Sequence, residues 1–130
     1  MKFEGRVTSG IGQGAQFLAL DWVAAQLQQH FGLIPFPGTL NLRVSPEIRQ
    51  SLFERRQQFP RIADPASPDC PGYLNHVMLR ARSRTCDEAW LILPEKTLHA
   101  DMLEIISAVS LRQALALIDG DSVEIEFELD

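Results

Sequence analysis

Pro37-Gly38-Thr39-Leu40-Asn41-Leu42 reads as a tight turn that runs directly into a strand. Pro37 fixes its own φ, and Gly38 can take the positive φ that many turns demand. Residues two apart on a strand share a face, so Leu40 and Leu42 point one way and Thr39 and Asn41 the other. The apolar side belongs to a core. The polar side presents a hydroxyl and an amide oxygen about 7 Å of chain apart. Two neutral, hard oxygens suit Mg²⁺, which is often held by one or two protein groups and completed by water and phosphate oxygens. A strand with an ordinary polar face would look the same, so the rest of the chain has to decide.

A chain of 130 residues has the size of one domain, 1–130, with a real core. Its 45% hydrophobic and 22% charged residues are those of an ordinary soluble globular protein. No apolar run reaches the length of a membrane span, and the first residues carry no signal-peptide core, which leads us to expect a cytoplasmic protein with no membrane partner. A net charge of −5 argues against a nucleic-acid partner, which would need a basic footprint, but not against a nucleotide carrying its own metal ion. Cys70 and Cys86 have no metal-type spacing and are expected to be free thiols. The expected state is a monomer.

Outward from the central stretch, Phe3, Gly5 and Val7 alternate with Glu4, Arg6 and Thr8 in a first strand. It leads into Gly10-Ile11-Gly12-Gln13-Gly14-Ala15, where alternate glycines would let backbone N–H groups approach a ligand closely. This is neither a Walker A loop nor the Rossmann fingerprint, and by itself it is a flexible turn. Gln16 to Leu20 are expected to be extended, with Asp21 capping a helix over 22–31 that Gly32 ends. His30, in that helix's last turn, is expected on the surface. Ile34-Pro35-Phe36-Pro37 is a stiff connector into the strand Thr39–Val44.

Ser45-Pro46 starts a short helix that turns Ile48, Leu52 and Phe53 inward and leaves Arg49, Arg55 and Arg56 solvated. The proline-rich stretch 60–72 is expected to be an irregular surface loop. Strands are expected over Tyr73–Arg84 and Ala89–Leu93, with a turn at 85–88 between them. Periodicity leaves 102–106 open between helix and strand; Glu104 stands alone there among apolar residues and needs water or a partner. Ser110 and Gln113 fit a capping box, and Val123, Ile125, Phe127 and Leu129 alternate with Glu124, Glu126 and Glu128 in a last strand. Those glutamates read as a solvated face that also discourages edge pairing. Five or six strands, short helices and no βαβ alternation favour a small closed or nearly closed β barrel.

Taken together, these pieces resemble the CTP-dependent riboflavin kinases. The resemblance rests on Glu4 to Gly14, Phe31 to Asn41, Pro94 to His99, Leu103 to Ile106, Leu111-Arg112 and Asp119 to Asp121, in that order. It implies a mainly β fold, a six-stranded cradle-loop barrel with short helical insertions. It implies transfer of the γ-phosphoryl group of CTP to the 5′-hydroxyl of riboflavin, giving FMN and CDP with Mg²⁺. Residue by residue, it implies that Gly10, Ile11, Gly12, Gln13, Gly14 and Ala15 bind the nucleotide together with Ser110, Leu111, Arg112 and Gln113. It assigns Mg²⁺ to Thr39 and Asn41, and the flavin to Thr97 and Glu104. Glu104 is then the candidate catalytic group, with Lys96 or Arg112 helping to neutralise phosphate.

Two positions depart from the family pattern. Ala15 offers no polar side chain, and Gln113 stands where an acidic residue is expected. The alternative reading is therefore a catalytically degenerate nucleotide- or flavin-binding regulatory domain of the same fold. A protein-interaction barrel with vestigial loops is a third.

Overall fold

The computed structural model describes residues 1–10, 13–95 and 101–127, with nothing said of the Gln13 side chain. Among the described residues, seven strands form one antiparallel sheet: β1 (Lys2–Thr8), β2 (Leu40–Arg43), β3 (Arg61–Asp64), β4 (Ser67–Ala81), β5 (Arg84–Pro94), β6 (Met102–Ser107) and β7 (Ser122–Glu126). Six of them close into a barrel in the order β1-β2-β6-β5-β4-β7, because β7 pairs with both β1 and β4. The length of β4 makes this possible. Its first half pairs with β3, and its last residues, Met78 to Arg80, pair with Glu126 to Glu124. The helices are α1 (Gln13–Leu18), α2 (Asp21–Phe31), α3 (Pro46–Glu54) and α4 (Leu111–Ala114), with a 3₁₀ turn at Arg56–Gln58.

Period-two alternation sorts the apolar residues into two cores. Inside the barrel lie Phe3, Val7, Leu40, Leu42, Val77, Leu79, Leu91, Leu93, Leu103, Ile105, Val123 and Ile125. On the outer face of β3–β6, Ile62, Leu74, Ile92 and Ile106 pack with Leu18, Val23, Leu27 and Leu33 from α1, α2 and the segment after α2. Gly32 ends α2 with φ at 63°, and its N–H and that of Leu33 return to Gln28 O and Leu27 O, the closing bonds expected of a left-handed helix end. Gln26 uses its side-chain amide to donate to Ala63 O (2.6 Å) and to accept from Ala63 N (3.0 Å). That pair covers the backbone edge of β3, which would otherwise offer unpaired groups to another strand.

The closed, mainly β barrel agrees with expectation, and several local readings do not. Gln13 to Leu18 are helical, so the glycine loop is shorter than Gly10–Ala15 and the segment 16–20 is not extended. The reason is tertiary: Leu18 is buried in the outer core, and the Phe17 ring stands edge-on to Trp22 with centroids 5.8 Å apart. Leu20, not Asp21, occupies the N-cap of α2, and Asp21 supplies charge to its first turn. The stretch 60–72 is no irregular loop but β3 and the start of β4, with the turn at Pro65 and Ala66. Pro68 and Pro71 are tolerated because this half of β4 lies where the sheet runs past the closed ring.

The β4–β5 turn falls at Arg82-Ser83 instead of 85–88, with Arg82 at φ 56°. Segment 102–107 is a strand. Gly38 does not adopt a positive φ. Arg49 is buried, not solvated: its Nε donates to Met102 O at 3.1 Å, which satisfies the guanidinium inside. The glutamates of β7 protect no edge, since β7 is paired on both sides. Cys70 and Cys86 are free. Among the described residues no helix is long and apolar enough to cross a membrane.

Candidate active site on the outer face of the barrel

Leu40 and Leu42 face the barrel interior, so Asn41 faces outward, and the same alternation on β6 puts Glu104 outward between Leu103 and Ile105. Register then lines up a row across four strands: Ile92 opposite Glu104, Glu104 opposite Asn41, and Asn41 opposite Thr8. Thr39 and Asn41 are both half-buried, as is Glu104, which has interaction partners of its own.

The glycine segment lies directly on this row. A methyl group built on Gly10 would land 2.8 Å from Asn41 Cγ and 3.0 Å from its Oδ1. One built on Gly14 would lie 2.8 Å from Glu104 Oε1 and would overlap Thr39. Real Cβ atoms do not approach this closely, so the two glycines are there because the backbone must pass against Thr39, Asn41 and Glu104. Three pieces read separately in the sequence are thus one surface. Ile11 and Gly12 lie outside the described residues, as do Lys96 and Thr97; Ala15 is exposed in the first turn of α1, beside the buried Gly14.

Two cavities flank the row. One, of about 270 Å³, is walled by Phe17, Pro71, Gly72, Ile92 and Pro94, with Glu104 and Glu95 as its carboxylates. The other, of about 80 Å³, lies between Phe36, Gly38 and Thr39 on one side and Val109, Ser110, Leu111 and Arg112 on the other. Phe36 N–H donates to Ser107 O at 2.8 Å and ties the proline connector to the end of β6. Ser110 Oγ caps α4 by accepting from Gln113 N at 3.4 Å, while Gln113 itself is exposed and takes no part in the cavity wall. Arg112 Nη2 donates to Asp119 Oδ1 (2.7 Å) and to Thr8 O (3.4 Å), and Ser9 Oγ donates to Asp119 Oδ2 (2.7 Å). Those bonds, from Ser9 first and Arg112 second, hold the Asp119 carboxyl below the usual aspartate range.

The donor set at Thr39 and Asn41 fits a hard divalent ion with phosphate and water ligands. Among the described residues no three His, Cys, Asp or Glu side chains form a metal cluster, so such an ion would depend on those outside ligands. The sequence reading gave no site role to Phe17, Gly72, Ile92, Pro94 and Glu95 on one side or to Phe36 and Val109 on the other, although Phe36, Pro94 and Glu95 stand in stretches that carry the family resemblance. Phe17 was hidden by the misread α1, and Gly72 by the proline-rich stretch.

A family model described as "Domain of unknown function DUF120", and labelled for CTP-dependent riboflavin kinase, matches residues 7–127. The chain belongs to the CTP-dependent riboflavin kinase family. The family's chemistry is that of a kinase, and the chain resembles curated proteins named riboflavin kinase. That of Methanopyrus kandleri is 33% identical over 94% of this chain and 80% of its own length. That of Pyrobaculum islandicum is 36% identical over 100% of this chain and 62% of its own length. That of Methanobrevibacter smithii is 33% identical over 98% of this chain and 100% of its own length. Several Pyrobaculum relatives are thus longer, with this riboflavin kinase-type domain spanning about three fifths of them.

Proposed function

We propose that the protein is a Mg²⁺-dependent kinase that transfers the γ-phosphoryl group of CTP to the 5′-hydroxyl of riboflavin. The observation that carries this is the close approach of the glycine segment to Thr39, Asn41 and Glu104, between a large apolar-walled cavity and a smaller one beside Arg112. Phosphoryl transfer asks for positioning and charge neutralisation more than for covalent chemistry. In this reading the backbone at Gly10–Ala15 and the Ser110–Gln113 segment bind the nucleotide. Thr39 and Asn41 would hold Mg²⁺, which when bound offsets phosphate charge in a protein that is itself acidic. Thr97 and Glu104 contact the flavin. The riboflavin 5′-oxygen attacks the γ-phosphorus, the bond from that phosphorus to the β–γ bridging oxygen breaks, and CDP leaves. Glu104 orients the hydroxyl and accepts its proton. We further read the protein as a cytoplasmic monomer without nucleic-acid or membrane partners.

The test is turnover. Purified protein is incubated with riboflavin, Mg²⁺ and each nucleoside triphosphate, and FMN is followed by chromatography. FMN should form, and CTP should outpace ATP at subsaturating concentration. Binding of both substrates without FMN would replace this reading with a degenerate binding domain, and equal rates with ATP and CTP would remove the CTP-selective pocket.

A further inference from the structure

The cavity beside Glu104 has a second carboxylate in its wall, and that group is held unusually firmly. Glu95 follows the last residue of β5, and its N–H donates to Pro71 O at 3.0 Å. Arg56 grips the carboxylate with two nitrogens, Nε at 3.2 Å from Oε2 and Nη2 at 3.4 Å from Oε1. Arg56 is itself fixed, with Nη1 donating to Phe53 O (3.0 Å) and its Cζ 4.0 Å from the Phe53 ring centroid. The buried Tyr73 interacts with the same carboxylate. Tyr73 first and Arg56 second keep Glu95 below the usual glutamate range, so it is an acceptor and not a donor at neutral pH. An ionised carboxylate has about four acceptor positions. The two Arg56 bonds occupy two of them, and Glu95 also lines the cavity.

The two carboxylates mark opposite ends. Ile92 is the register partner of Glu104, and Glu95 lies three residues farther along, about 10 Å at the strand rise. Between them the walls are Phe17, Pro71, Ile92 and Pro94, flat and apolar. Oxidised riboflavin matches that layout. Its reacting hydroxyl ends the ribityl chain, its ring system is flat, and its only ring N–H, at N3, sits on the far edge between two carbonyls.

We propose that Glu95 is a specificity residue for the acceptor, taking a hydrogen bond from the N3–H of the riboflavin ring at the end of the cavity away from Glu104. The assignment rests on the riboflavin kinase reading above. It also explains why a carboxylate already paired with Arg56 and Tyr73 stands in the wall of a cavity rather than behind it.

The probes are riboflavin and 3-methylriboflavin, which lacks the N–H, bound to the wild type and to Glu95→Ala and followed by flavin fluorescence without any nucleotide. Wild type should prefer riboflavin by about 10- to 100-fold, the scale of one hydrogen bond to a charged group. Glu95→Ala should lose that preference because its riboflavin affinity falls to the level of the methylated compound, with CTP binding unchanged. Wild type that binds both flavins equally would overturn the proposal, as would a folded Glu95→Ala that keeps the preference. Should the variant fail to fold, the wild-type comparison still decides. Binding needs no turnover, so absent FMN formation with intact N3 selectivity would sink only the kinase reading. Absence of flavin binding by folded wild type would sink both.

Discussion

At the scale of single residues, the site turns on how little room the glycine segment leaves. Gly14 is the second residue of α1 and is buried, so the small helix-propensity gain of alanine is outweighed by a methyl that overlaps Thr39 and presses on Glu104, an overpacking of about 1–3 kcal/mol. Gly14→Ala should therefore lower the melting temperature modestly while displacing the backbone from Thr39 and Glu104, and kcat/KM for CTP in the folded protein should fall at least tenfold. A variant with unchanged kcat/KM would show that the close approach has no functional weight. Thr39→Val and Asn41→Leu remove one oxygen donor each and keep side-chain bulk. Both side chains face away from the barrel core, so melting temperatures should hold. Calorimetry should show weakened Mg²⁺-CTP binding in each, non-additively in the double variant, with riboflavin binding little affected. Tight Mg²⁺-CTP binding by folded variants would move the metal elsewhere. Glu104→Gln should keep riboflavin affinity within a few-fold and lose roughly 10²–10⁴ in turnover if the carboxylate takes the proton. Unchanged turnover would demote it to a binding residue. The outward face of Thr39 and Asn41 was legible because strand alternation sets them opposite Leu40 and Leu42, whereas Glu104 stood out only as a lone carboxylate among apolar residues and took its expected role from the family resemblance, since periodicity left 102–106 open. Glu95 was not legible, because nothing local announces that Arg56 and Tyr73 come to it from 39 and 22 positions back in sequence.

At the scale of elements, local signals worked where the element is decided locally. Gly32 ended α2 where a left-handed residue is needed, and Ser45 and Ser110 cap α3 and α4 through Ile48 N and Gln113 N. They failed where tertiary contacts overrode them. Prolines at 65, 68 and 71 suggested a loop, yet the β3–β4 hairpin forms because Ile62 and Leu74 bury in the outer core and Gln26 covers the β3 edge. Long-range ties also link α4 to the end of β1 through Asp119, which accepts from Ser9 and Arg112. The sign of its pH effect follows from its depressed folded-state pKa. The ionised form is favoured by folding, so this contribution is fully present above the unfolded aspartate value, near pH 4, and is lost as pH falls through the lower folded value. The Asp119 side chain is 56% exposed, so the effect is small. Wild type should melt slightly above Asp119→Asn at neutral pH, and the two curves should converge below pH 4. A gap that persists into acid would assign the difference to something other than this charge.

At the scale of the molecule, the barrel and its helical layer are two cores sharing one wall, β4–β6, and the row of functional groups starts on the outer side of that wall at Ile92 and Glu104 and continues across β2 to β1. A period-two pattern shows which residues turn inward, but it cannot show which strands meet to close a ring; that depends on β4 being long enough to reach both β3 and β7. Ile125 is the rung on which closure depends. It lies opposite Phe3 on β1 and opposite Leu79 on β4, and it is fully buried. Ile125→Ala removes packing on both sides of the seam at once and should cost about 2–5 kcal/mol, the usual range for a large-to-alanine change in a core. Against a typical total of about 5–15 kcal/mol, that is a large fraction of the stability. If β7 is needed to hold the ring, the loss should appear as one cooperative transition at lower temperature or denaturant concentration, with no separate early melting of β7. The interior position of Ile125 separates it from Thr39, Asn41 and Glu104 on the outer face, so kcat per folded molecule should be unchanged well below the transition. A two-step unfolding curve for Ile125→Ala would show that the β4–β7 seam opens independently and that the remaining strands keep the site without a closed barrel.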